Sequence, residues 1–251
     1  TDRAVDVLQA RRLYERGCEL EDGFACASEG YLYDHAVGVP SNDARAAGLY
    51  GKACDNDSAM GCANLGLFYW VARGVELDHD RAFRFSNKGC DLGSAFGCGN
   101  VGLLYKLGLG TEVDLEKALD HMRRSCDEDD AAGCNALGRM YGTGQQVEVD
   151  HARAVTLYRK ACDAGSDSGC VNLGYMAEVG DGMTVDLALA SELYTRGCDN
   201  GNKTGCYNLA AIYEGGRGVT QSYEEARRLY DKACDLGDDD GCRRSAQIMD
   251  R

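Results

Sequence analysis

The chain has 251 residues, 44% of them hydrophobic and 27% charged, and no stretch approaches the roughly 18 apolar residues of a membrane span. This reads as a folded chain, neither disordered nor membrane-embedded. A formal charge of -14 repels phosphate backbones and anionic lipid, so no nucleic acid partner is expected, and basic or neutral partners are favoured. One proline in the whole chain suits helices, where proline costs about 3 kcal/mol, and points to an all-α protein.

Seven Cys-x7-Cys pairs recur every 36 residues, and seven periods use the whole chain. Such a period means one supersecondary unit copied in series, each burying a face against its neighbours. The expected organisation is a single solenoid domain over 1–251, built of αα units at about 1–36, 37–72, 73–108, 109–144, 145–180, 181–216 and 217–251. Within these residues no separate catalytic domain is expected.

In the second unit the run Ala46, Leu49, Tyr50, Ala53, Cys54 sets apolar residues at spacings of 3, 4, 7 and 8 along one helix face. The same run returns at Ala154 to Cys162 and at Ala226 to Cys234. Lys52, Lys88, Lys160 and Lys232 fall in the last turn of these helices, where a cation suits the negative end of the helix dipole. Each helix is expected to stop just after its cysteine. Small polar residues and glycine follow, as in Asp163 to Gly169, and read as a tight hairpin that caps the next start. The second helix opens on Gly-Cys-x-Asn, as at Gly61, Gly169 and Gly205. Its interior glycine returns at Gly30, Gly66, Gly102, Gly138 and Gly174. It costs up to about 1 kcal/mol in a helix and therefore implies a close approach. Turns such as Gly180-Asp181-Gly182 and Gly216-Arg217-Gly218 end the unit.

Two residues eight apart on one straight helix stand about 12 Å from each other, too far for a disulfide. With a hairpin between them the two ends return side by side. The expected bridges are Cys18 with Cys26, Cys54 with Cys62, Cys90 with Cys98, Cys126 with Cys134, Cys162 with Cys170, Cys198 with Cys206 and Cys234 with Cys242. Zinc, which wants four ligands at other spacings, and reduced core cysteines are the weaker alternatives. Oxidised pairs imply an oxidising compartment. The chain shows no signal peptide and no initiating Met, so a processed form is expected.

The segment Lys160 to Gly174, Lys-Ala-Cys-Asp-x-Gly-x3-Gly-Cys-x-Asn-Leu-Gly, resembles the Sel-1-like repeat, and its bridged form is similar to the Helicobacter cysteine-rich proteins. The resemblance covers essentially the whole chain. It implies a right-handed α/α superhelix of seven tetratricopeptide-like units, with the Gly-Cys-x-Asn helices lining a concave groove. It also implies a secreted or periplasmic interaction protein, with the mitochondrial intermembrane space as a less favoured setting. Some cysteine-rich members carry a β-lactamase or penicillin-binding label.

That label finds little in the residues. No Ser-x-x-Lys occurs, and Lys203-Thr204-Gly205 falls in a hairpin turn. His35, His79, His121 and His151 contain no His-Glu-x-x-His and are read as surface or satisfied side chains at unrelated repeat phases. The acidic turn after Asp235 has Ala246 where an EF-hand needs Glu, so it is read as a capping turn. Neither a metal nor any other cofactor is expected, and no catalytic residue is assigned. The expected function is a non-catalytic scaffold that holds a protein or extended peptide. Weak β-lactam binding and a structural or assembly role are the alternatives, and a monomer is the working expectation.

In the groove implied by the resemblance, Asn64, Asn100, Asn172 and Asn208 would clamp a peptide main chain, or else bond between repeats. Positions that vary between copies would supply specificity: Tyr31, Leu67, Leu103, Arg139 and Tyr175, with Trp70 and Lys106 nearby.

Overall fold

A computed structural model describes residues 2–145 and 147–248 of the chain. Fourteen helices and no strand occur among the described residues. They fall in two compact parts, 1–133 and 134–251. The first holds α1 (Asp2–Glu19), α2 (Gly23–Asp34), α3 (Asp43–Asp55), α4 (Ala59–Val71), α5 (His79–Asp91), α6 (Ala95–Leu107) and α7 (Leu115–Asp127). Helix α8 (Ala131–Thr143) carries the chain into the second. There follow α9 (His151–Asp163), α10 (Asp167–Val179), α11 (Leu187–Asp199), α12 (Lys203–Gly215), α13 (Tyr223–Asp235) and α14 (Asp239–Ile248).

Helix boundaries follow the capping residues. Even helices start on Ser58, Ser94, Ser166 or Asn202, whose side-chain oxygens accept from the N–H groups of Gly61, Gly97, Gly169 and Gly205. Asn42, Asp78, Asp114, Asp150, Asp186 and Ser222 cap odd helices in the same way. Each cap contributes about 1 kcal/mol. The acidic turn after Asp235 also does this work, since Asp238 Oδ1 accepts from Gly241 N at 2.9 Å.

All fourteen cysteines are bridged. In six pairs, Cys18–Cys26, Cys54–Cys62, Cys90–Cys98, Cys162–Cys170, Cys198–Cys206 and Cys234–Cys242, the Cα atoms stand between 4.4 and 4.6 Å apart. Cys126 and Cys134 are likewise disulfide-bonded. Each bridge ties the end of an odd helix to the start of the even helix after it.

Even helices also pack more extensively on the odd helix that follows than on the one before, as α4 does on α5 and α12 on α13. The interior glycine makes this possible. A Cβ on Gly30 would meet the Tyr50 ring at 3.0 Å, and one on Gly174 would meet the Tyr194 ring at 2.9 Å. The second glycine of each closing turn has a different reason. Gly74, Gly110, Gly182 and Gly218 take φ between +63° and +73°, and a side chain there would collide with the first residue of the odd helix that began about 31 residues earlier, Asp43, His79, His151 and Leu187 in turn.

Two further links recur between units. Arg45 lies 4.3 Å over the Tyr33 ring, Arg81 5.3 Å over Tyr69, Lys117 5.3 Å over Tyr105, and Arg153 4.3 Å over Tyr141. Each such cation–π contact is worth about 0.5–1 kcal/mol. The last-turn cations reach across as well. Lys88 Nζ donates to the Cys54 carbonyl at 2.7 Å, Arg196 Nη2 to that of Cys162 at 2.8 Å, and Arg124 Nη2 to that of Cys90 at 3.5 Å. The cation thus neutralises the C-terminal end of the preceding odd helix, besides its own.

Candidate functional site

Along each even helix the cysteine and the residues three and six places after it point inward. Leu65 and Phe68 of α4, Val101 and Leu104 of α6, and Leu173 and Met176 of α10 are buried. The residue five places after the cysteine lies on the opposite face. Tyr31 is 44% exposed, Tyr175 53% exposed, Arg139 exposed, and Leu67, Leu103 and Ala211 are half-buried. In the first part α4 touches both α2 and α6, so Tyr31, Leu67 and Leu103 stand on three neighbouring helices. Val71 and Leu107, at the ends of α4 and α6, extend this surface and are exposed. In the second part Arg139, Tyr175 and Ala211 occupy the same position on α8, α10 and α12. The Tyr31 ring stacks on His35 with centroids 3.9 Å apart.

The four asparagines have separate surroundings. Asn172 Nδ2 donates to Asn135 Oδ1 at 2.8 Å, joining α10 to α8. Asn208 hydrogen-bonds the Tyr194 hydroxyl. Asn64 is half-buried. Asn100 is 5% exposed, and its Nδ2 is buried without a hydrogen-bond partner; at the place where Asn172 finds Asn135, the unit before Asn100 has Ala63.

Trp70 and Lys106 are half-buried, and they occupy a position that the first, fifth and sixth units give to a carboxylate, Asp34, Glu178 and Glu214. There the carboxylate is part of a triad the sequence reading did not find. Tyr50 donates to Asp34 Oδ2 at 3.0 Å, and Arg73 donates to Asp34 Oδ1 at 2.6 Å and to Asp43 at 2.7 Å. Tyr194 donates to Glu178 at 2.8 Å beside Arg217. Tyr230 donates to Glu214 Oε2 at 3.0 Å beside a forked Arg244. Burial, then the neighbouring carboxylate, pushes all three phenols well above their ordinary value. The sequence signal was a Tyr sixteen residues after an acid. Where Trp70 and Lys106 replace the acid, Ser86 and Met122 replace the tyrosine.

Glu29 also went unremarked: it takes an inward position that the next five units give to Leu or Val, is 3% exposed, and accepts from Arg45 Nη2 at 3.2 Å. The histidines depart from the expected pattern of unrelated phases and surface positions. His79 and His151 share a phase, since both begin an odd helix two periods apart, and the Nδ1 of each is buried without a partner. His121 is a half-buried side chain whose Nδ1 lies 3.6 Å from Cys90 Sγ. Burial, and then Arg124, lowers its pKa. Lys203 of the Lys-Thr-Gly run opens α12 and donates to the Gly237 carbonyl at 2.8 Å.

Relatives fit this geometry. The Sel1 repeat matches residues 2–22, 24–58, 59–94, 95–130, 131–166, 167–202 and 204–238. Its frame sets an even helix before the following odd one, the pairing that packs most extensively here. A Sel1 repeat protein from Oxalobacter formigenes is 26% identical, with 93% of this chain and 97% of that one covered and a TM-score of 0.77. The Escherichia coli protein c5321, described as a protective antigen present in uropathogenic strains and displaying an SLR fold, is also 26% identical, with a TM-score of 0.70. That match covers 96% of this chain, which spans only 52% of c5321. Helicobacter pylori cysteine rich protein B is 29% identical over 52% of this chain and 93% of its own, with a TM-score of 0.43. No curated protein matches the chain. Seven matched repeats, paired helices throughout and bridged cysteines make this chain a member of the Sel1 repeat family, with an all-α solenoid fold.

Proposed function

We propose that the chain is a non-catalytic, extracytoplasmic scaffold that holds a protein or extended peptide on the outward face of its even helices. One observation carries the reading. A nearly invariant framework of Cys, Gly and Leu presents a position that changes between Tyr, Leu, Arg, Ala and Gln from unit to unit, and the large residues Tyr31, Arg139 and Tyr175 stay exposed there. Tyr and Arg are favoured anchors because they bring large contact area and directed hydrogen bonds. Leu67, Leu103, Trp70 and Lys106 fill out this surface, and Asn100 and Asn64 supply amides beside it. Asn172 and Asn208, already bonded within the protein, serve the framework. We read residues 1–251 as one functional solenoid acting as a monomer.

The seven bridges support an oxidising compartment, secreted or periplasmic, because glutathione and thioredoxin keep cytosolic thiols reduced. The description of c5321 as a protective antigen agrees with exposure outside the cytoplasm. A photo-crosslinking residue placed at Leu103 or Tyr175, and for comparison at Arg84 of α5 or Glu192 of α11, tests the face in the native compartment. Crosslinks to one discrete partner are expected from the first pair alone. Replacing Tyr31, Arg139 and Tyr175 by Ala is expected to weaken that partner at least about 30-fold. Crosslinks confined to Arg84 and Glu192 would put the partner on the odd helices and overturn the reading.

A further inference from the structure

We propose that reduction of the Cys90–Cys98 bridge unmasks a binding site for a soft or borderline d10 cation such as Zn2+, held by the two sulfurs and His121 Nδ1. Among the described residues, Cys90, Cys98 and His121 are the one group of three His, Cys, Asp or Glu side chains whose ligand atoms all lie within 4.8 Å of one another. The histidine is what sets this bridge apart. Five residues before the first cysteine the other units place Leu13, Leu49, Phe85, Leu157, Leu193 and Leu229, and only the fourth places a nitrogen ligand.

The spacing suits a tetrahedral centre. With Zn–S near 2.3 Å and Zn–N near 2.05 Å, the ligand atoms of such a site stand about 3.6 Å apart for sulfur and nitrogen and about 3.8 Å for two sulfurs. Cys90 Sγ and His121 Nδ1 already stand 3.6 Å apart. The two sulfurs, 2.01 Å apart in the bridge, need separate only to about ordinary contact, each by somewhat under 1 Å. The His121 ring is held from behind by stacking on Tyr105, with centroids 5.7 Å apart. Such support fixes the ligand direction before the metal arrives.

The bridge also faces an opening. A cleft of about 480 Å³ is lined by Cys90, Cys98, Gly93, Arg124, Asp127 and Glu128; the bridge itself is buried, with Cys90 0% and Cys98 4% exposed, and this cleft is where a reductant and the cation would enter. Asp127 and Glu128 draw cations in, while Arg124 is turned to the Cys90 carbonyl at 3.5 Å. A water would complete four-coordination, because no carboxylate of the rim stands among the clustered ligand atoms. Two thiolates and an imidazole form a donor set suited to Zn2+ or Cu+ rather than to Mg2+ or Ca2+.

The chemistry balances with a dithiol as reductant. A thiolate of the dithiol attacks one sulfur, the Cys90–Cys98 bond breaks, and the second thiol of the reductant closes its own disulfide. Two electrons and two protons pass to the protein, giving two thiols. Zn2+ then displaces both thiol protons to solvent and binds as the neutral dithiolate.

The test uses the full chain, reduced anaerobically with excess dithiol, which is then removed before Zn2+ alone is added. Pulse alkylation with peptide-resolved mass spectrometry reads each cysteine, and circular dichroism of the same sample reads helix content. Zn2+ is expected to protect Cys90 and Cys98 at least about 10-fold more than Cys54, Cys62, Cys162 and Cys170. The excess protection should vanish in His121→Leu, which restores the residue type found in the other units and leaves the oxidised fold intact. Equal protection of all pairs, protection unchanged in His121→Leu, or a reduced chain that loses its helices and does not regain them with Zn2+ would each overturn the proposal.

Discussion

Removing one bridge, through Cys54→Ala with Cys62→Ala, tests how far each unit depends on its own staple. The bridge spans a sequence separation of 8, and closing so short a loop in the unfolded chain contributes about 2.6 kcal/mol on the chain-entropy model. Both sulfurs are buried, at 1% and 0% exposure, so their loss also leaves small voids costing about 1 kcal/mol each. The expected loss is about 4.5 kcal/mol, felt in α3, α4 and their contacts. Because solenoids open unit by unit, a single denaturation midpoint would blur the effect. Native-state hydrogen exchange resolves it. Amides of α3 and α4 should lose protection by this amount, while those of α11 and α12 keep theirs within about 0.5 kcal/mol. A loss below about 1.5 kcal/mol in α3 and α4 would refute the reasoning, by showing that packing alone already restrains the open hairpin in the unfolded ensemble.

Tyr194→Phe should destabilise by about 1–2 kcal/mol in urea melts, because Glu178 loses a charge-assisted bond. Tyr158→Phe, which faces Gly142 where Tyr50, Tyr194 and Tyr230 face an acid, should stay within about 0.5 kcal/mol. The raised phenols predict alkaline weakness. Folded Tyr50, Tyr194 and Tyr230 keep protons that the unfolded chain releases near pH 10. Their contribution is therefore whole below that pH and is lost as pH rises above it. Thermal melts from pH 8 to 11.5 should show a decline that the triple Phe variant flattens. Gly110→Ala, whose Cβ would fall on the His79 carbonyl at φ +67°, should cost about 3 kcal/mol. Gly165→Ala meets nothing within 4 Å and should cost only the left-handed backbone term, about 1 kcal/mol. Melting temperatures of the two variants check the order.

The period, the helix pairs and the bridge partners were legible because they repeat: one unit's ambiguity was resolved by six copies. Gly30 and Gly174 announced a close approach, and the neighbour proved to be a tyrosine ring from the next unit. The unit boundary was harder. Cysteines suggest an odd helix followed by an even one, whereas packing favours the even helix with the odd one after it, a preference that shows only in contacts across the loop. Lys88 was read as a cation for its own helix, yet its ammonium spans to the Cys54 carbonyl 34 residues earlier. The Tyr–carboxylate–Arg triads draw on residues up to 39 apart, beyond any local pattern. His121 looked like one of four scattered histidines because its partner, Cys90, lies on a different helix, 31 residues earlier. Of the outward face, the varying residues could be named from the alignment of copies. Their unequal exposure, and the differing fates of Asn100 and Asn172, depend on what the neighbouring unit places opposite.

Every expected bridge opens and closes within eight residues and inside a single unit. Duplicating or deleting a block of 36 residues therefore moves a complete pair and leaves every other pairing untouched, so the array can change length without a mispaired thiol. The same arrangement gives the chain a particular response to tension. Bridges at the hairpins leave the interfaces between units without a covalent cross-link, held by side-chain contacts and a few backbone bonds such as Asn42 N to the Tyr33 carbonyl and Asp78 N to the Tyr69 carbonyl. A pulled chain should part at those interfaces first, and each parted unit should remain shortened by the roughly 28 Å of backbone its bridge encloses.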